Sequence, residues 1–239
     1  MRVSAGIRDL RSFYVRANTC VACHQNIDSD IVKAGHPELI FELDGQSIAE
    51  PKHWRDDDPA SGQRAWLVGQ AVALREMSWL LANHDTPDAE ATARWNGLSW
   101  LLAKATAQQT NLPVIGPPIT TMSRTLFAEA QAQADALARR ASESRLSDDF
   151  APQLLRALAA TDSEFTVSRE TTDVLFRRAQ RLVLALDRLS GALNSDAPNV
   201  VKNPALDRLF DDLKSRADFQ PPKFAEHLAS FRATIERAP

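Results

Sequence analysis

Apolar positions along this chain recur at helical spacing, with little strict alternation. The clearest stripe is Leu175, Ala179, Leu182, Leu186, Leu189 and Leu193, spaced alternately four and three, which puts one apolar face on a long helix. Leu126, Ala130, Ala134, Leu137 and Ala141 mark another. Upstream, the pattern predicts a helix over roughly Gln63–Asn83, stopped by Asn83-His84-Asp85-Thr86-Pro87. A second runs over about Asp88–Gln109, stopped by Asn111-Leu112-Pro113 and Gly116-Pro117-Pro118. Ser147-Asp148-Asp149 reads as the cap and first turn of a helix through Ala160. Asn203-Pro204 reads as N-cap then first helical residue, and Pro221-Pro222 opens a last helix through about Glu236. A short helix is predicted from Pro37 to about Gln46, and a loop from Pro51 to Gly62.

Composition agrees with this pattern. Eight glycines, one tyrosine and few β-branched clusters speak against a sheet. The expected fold is all-α, an N-terminal region over residues 1–112 followed by a helical bundle over 113–239. A net charge of −3 leaves no basic footprint for nucleic acid, and no apolar run approaches the ~20 residues that span a bilayer. The opening Met1-Arg2-Val3-Ser4-Ala5-Gly6-Ile7-Arg8-Asp9-Leu10 has no apolar h-region and so shows no signal peptide.

The two cysteines change the picture. Both fall inside Cys20-Val21-Ala22-Cys23-His24, the C-x-x-C-H pattern of covalent c-type haem attachment. Two thiols three residues apart on a helical turn can each form a thioether with one porphyrin, and the next residue, His24, is the proximal iron ligand. The competing readings are a thioredoxin-like pair, a zinc site and a small-loop disulfide. The first lacks a βαβ context, the second lacks a second C-x-x-C, and the third closes too few residues to stabilise much. The expected cofactor is one covalent haem c (heme c) per chain, carried by the 1–112 region.

Haem c is attached outside the bacterial inner membrane, so the expected location is periplasmic, with a leader or preceding domain removed ahead of Met1. The second axial position is open to His36, His53, His84, His227, Met77 and Met122. Met77 reads better as an apolar core residue, His84 as a helix C-cap and His227 as a residue of the last helix. His36, in Ala34-Gly35-His36-Pro37, and His53, beside Trp54, lie in irregular segments where the backbone can swing an imidazole over an iron. Phe41, Trp54 and Trp66 could wall a porphyrin, and Arg55 and Arg64 could pair with its propionates; Asp56-Asp57-Asp58 offers the same arginines an alternative.

Those residues form an ordered string: Cys20 to His24, then Gly35-His36-Pro37-Glu38-Leu39-x-Phe41-Glu42-Leu43, then Pro51-x-His53-Trp54, then Trp66-x-x-Gly69-Gln70-Ala71. It resembles a group of bacterial periplasmic di- and multihaem c-type cytochromes related to the tetrahaem cytochromes of nitrogen-cycle bacteria. The resemblance covers roughly residues 15–107. It implies two-histidine ligation, with His24 proximal and His36, then His53, distal. The chain departs from the family at Trp95–Ala107, where Ala103, Thr106 and Ala107 stand in place of a second attachment motif. The expected function is a monohaem electron carrier between redox partner proteins. Two alternatives stay open: an open or weakly capped iron that binds NO or CO or reduces peroxide, and a docking module of a larger redox complex. The Leu175–Leu193 stripe suits packing within the chain or across a homo-oligomer.

Overall fold

The computed structural model describes residues 6–27, 29–36, 39–44, 61–84, 88–107, 109–116, 118, 122–193 and 203–237. These residues form helices α1 (Phe13–His24), α2 (Ser29–Lys33), α3 (Ser61–Asn83), α4 (Ala89–Ala107), α5 (Arg124–Glu143), α6 (Phe150–Ala159), α7 (Ser163–Thr166), α8 (Thr172–Leu193), α9 (Pro204–Asp211) and α10 (Pro221–Glu236), with no strand among them. The fold is all-α. No helix of the described residues is long and apolar enough to cross a membrane.

The chain divides into two compact units interleaved in sequence. One holds Met1–Pro87, Gln109–Ile115 and Ile119–Leu146; the other holds Asp88–Gln108, Gly116–Pro118 and Ser147–Pro239. The boundary expected near residue 112 therefore matches neither unit: α4 belongs with the second and α5 with the first.

In the first unit α3 packs along α5, and α1 lies against both. The apolar face of α5 is centred on Phe127, Ala134, Leu137, Ala138 and Ala141, so Leu126 and Ala130 sit at the edge of the stripe predicted for it. Gly69 makes room for a crossing segment. A Cβ there would lie 2.8 Å from Leu43 Cβ and 3.0 Å from Leu43 N. Two sequence expectations need correcting here. The short helix expected from Pro37 is not formed over residues 39–42, which have no regular structure, while residues 43–44 are helical and Phe41 and Leu43 are buried. Ser61 and Gly62 are not loop but the opening residues of α3. Residues 45–60, with most of the loop expected there, lie outside the described residues.

In the second unit α8 packs on α4 and α6, and α10 packs on α6, α7, α8 and α9. The predicted α8 stripe is buried from Leu175 through Leu189, while Leu193, in the last turn, is 47% exposed. Gly97 lets α4 approach α8 closely, since a Cβ there would lie 2.7 Å from the Arg177 carbonyl oxygen. Arginines of α8 are tied by acceptors: Arg178 Nε donates to Asn96 Oδ1 at 2.9 Å and its Nη2 to Glu170 at 2.9 Å, while Arg177 shares Glu90 with Arg216, which precedes α10. A run of rings, Trp100, Phe165, Phe224, Phe219 and Phe176, fills the centre with neighbouring centroids 4.8–6.5 Å apart. Asn203 caps α9 by accepting from the Ala205 and Leu206 amides, with Pro204 at the first turn as the sequence predicts.

Candidate haem-attachment site

Helix α1 begins at Ser12, whose hydroxyl accepts the Val15 amide, and ends where the Gln25 amide donates to the Val21 carbonyl. Residues 20–24 are thus the last turn of a helix, and positions 20 and 23 lie one turn apart on it. This is the backbone spacing two thioethers to one porphyrin require. Phe13, Ala17, Val21 and Gln25, spaced four apart, form the buried stripe that holds α1 in the unit. Cys20 lies at the border of that stripe and is half-buried. Gln25, next in sequence to His24, is 7% exposed, and its Oε1 has no hydrogen-bond partner. The helical turn and the donor set fit a covalent haem.

The structure places some of the expected residues in the same unit, at the Phe13 end of α1 and on the middle of α3. Arg64, from the first turns of α3, lies with its guanidinium 5.1 Å from the Phe13 ring centroid, and Arg16 lies 4.9 Å from the same ring. Phe41 is fully buried, and beside it Glu42 accepts a hydrogen bond from Gln70 Nε2 at 3.4 Å, which fastens residues 41–44 to the middle of α3. Met77 is a core residue of α3, as the sequence reading favoured. His53, Trp54 and Arg55 lie outside the described residues.

His36 is exposed, and its backbone placement has a definite cause. The His36 amide donates to the Ile31 carbonyl at 3.2 Å and the Gly35 amide to the Val32 carbonyl at 3.0 Å, the paired bonds of a Schellman C-cap on α2. Gly35 takes φ 104°, which that cap requires and which side chains disfavour. His36 therefore stands just past a fixed helix end. Of the other ligand candidates, His84 is exposed just past the end of α3, and His227 Nδ1 is 2.6 Å from Asp212 Oδ2 in the second unit.

The last turn of α4, with Ala103, Thr106 and Ala107, is helix. Thr106 is fully buried with its hydroxyl donating to the Leu102 carbonyl, while Trp95 and Trp100 are buried on the same helix.

One constellation was missed in the sequence. Tyr14 Oη donates to Asp135 Oδ1 at 2.6 Å, and Arg75 Nη1 donates to that same oxygen at 2.9 Å. Arg139 Nε donates to the other carboxylate oxygen at 2.7 Å and its guanidinium stacks 4.4 Å from the Tyr14 ring centroid. Burial alone would raise the Asp135 pKa, but the hydrogen bonds from Tyr14, Arg139 and Arg75 outweigh it and hold the carboxyl at about 2. Burial, then the bond to Asp135, raises Tyr14 above the ordinary phenol value. The available signals were a lone tyrosine on α1 and the i,i+4 pairs Tyr14/Asn18 and Asp135/Arg139. Compared with family models, with curated proteins and with solved structures, the chain matches none.

Proposed function

We propose that this chain is a periplasmic c-type cytochrome, with one haem joined to Cys20 and Cys23 and ligated by His24, that passes single electrons between partner proteins. The observation that carries the reading is the occurrence of the only two cysteines and the adjoining histidine in one terminal helical turn. The bound haem supplies a one-electron iron couple. The chain's part is to fix that couple in place. The α1 stripe anchors the tether to the packed core, and Phe41 and Leu43 are buried in the same unit. His36 or His53 would supply the second imidazole to such a haem. The exposure of His36 favours a second reading, in which the distal face is left open to NO, CO or peroxide.

Mass spectrometry and a pyridine haemochrome assay on exported, matured protein test the first claim: one haem per chain is expected, and a bare polypeptide mass ends the proposal. Absorption spectra then separate the two readings. A low-spin six-coordinate iron that becomes high-spin in His36→Ala or His53→Ala supports the electron carrier. Rapid CO binding by the native protein supports the open iron.

A further inference from the structure

We propose that Arg75 is a positioning residue that fixes the rotation of α1 about its own axis and so sets the distal coordination of the iron; this rests on the haem reading above. The apolar contact of α1 is weak as a rotational stop, because its central residue, Ala17, is small. The directional contacts are polar and lie on one flank. Arg75 Nη1 donates to Tyr14 Oη at 3.2 Å and Nη2 donates to Asn18 Oδ1 at 2.5 Å, so one guanidinium grips α1 at two positions one turn apart. Arg75 is itself held: its Nη1 and Nη2 also donate to Asp135 Oδ1 and Glu76 Oε1, at 2.9 and 2.6 Å, and its side chain is 12% exposed. The Tyr14 amide donates to Ser142 Oγ at 3.1 Å, which adds a grip from α5. Arg75 and its partners thus join α1, α3 and α5 in a single arrangement.

The consequence for ligation follows from which parts move together. A porphyrin tethered at positions 20 and 23 and ligated at 24 would turn with α1, whereas His36 stands past the end of α2, a separate element. Side chains extend about 5 Å from a helix axis, so a rotation of roughly 25° carries the tethered end about 2 Å. Metal–ligand bonds tolerate deviations of only about 0.2 Å. Loosening the Arg75 grip therefore leaves the proximal bond and both thioethers intact and strains the distal bond.

The test compares Arg75→Leu, the milder Asn18→Ala, and Asn203→Ala, which weakens a helix cap in the other unit. Each is matured with haem, checked by mass and circular dichroism, and read for spin state and CO binding. Arg75→Leu is expected to raise the CO-accessible fraction roughly tenfold with high-spin features, Asn18→Ala by less, and Asn203→Ala not at all. If Arg75→Leu does not fold, Asn18→Ala decides by the same readouts. A folded, haem-loaded Arg75→Leu protein with unchanged spin state and CO binding overturns the inference. So does a native protein whose iron is already five-coordinate, with haem attachment left standing. A native protein without haem removes the functional reading instead.

Discussion

Replacing Asp135 by asparagine measures the polar cluster that joins α1 to α3 and α5. The carboxylate accepts from Tyr14, Arg75 and Arg139, and its side chain is 27% exposed. Its pKa stands at about 2 against an ordinary value of 3.8. At 1.36 kcal/mol per unit, that difference corresponds to about 2 kcal/mol of stability at neutral pH. Because the folded value is depressed, the contribution is fully present above pH ~4 and disappears as pH falls through ~2. The amide side chain of the variant would keep an acceptor for Tyr14 but lose the charge opposing Arg75 and Arg139. Urea unfolding followed by circular dichroism, at matched ionic strength from pH 7 to pH 2.5, is the assay. Asp135→Asn is expected to be about 2 kcal/mol less stable at pH 7, with the gap to wild type narrowing steadily below pH ~4. Other carboxylates titrate in both proteins and cancel in the difference. Equal stability at pH 7, or a gap that stays constant down to pH 2.5, refutes the reasoning.

Two further substitutions probe the second unit. Gly97→Ala places a methyl 2.7 Å from the Arg177 carbonyl oxygen and forces α4 and α8 apart; a loss of about 1–3 kcal/mol in urea unfolding is expected, and an unchanged midpoint would contradict the close crossing. Asn203→Ala removes the acceptor for two amides of α9, which costs about 1 kcal/mol and should lower the thermal midpoint by about 2–4 °C.

Helix positions were legible because each carried its own signal: a four-three apolar stripe for α8, Asn203-Pro204 for α9, Pro221-Pro222 for α10. Tertiary assignment was not, and one comparison shows why. The pentapeptide Ser-Trp-Leu-Leu-Ala occurs on α3 at residues 78–82 and on α4 at residues 99–103. Trp79 is 49% exposed, whereas Trp100 is 4% exposed, donates to Glu164 at 2.7 Å and meets the Phe165 ring edge-on. Identical local sequence thus has opposite burial, because the partners that decide it lie some sixty residues downstream. The same limit hid the Arg75 cluster, whose members come from three helices. It also hid where the short helix after Pro37 takes up, since residues 39–42 are irregular and residues 43–44 helical. The proposed attachment motif differs in that its chemistry would depend on three residues within one pentapeptide.

The interleaving of the two units dictates an order of assembly. During synthesis α1 and α3 must wait for α5, and α4, which serves the other unit, emerges in between. Until residue 143 has left the ribosome, the stripe of α1 has no complete core to enter. The first unit therefore closes only once its last long helix is available, however early α1 and α3 are made.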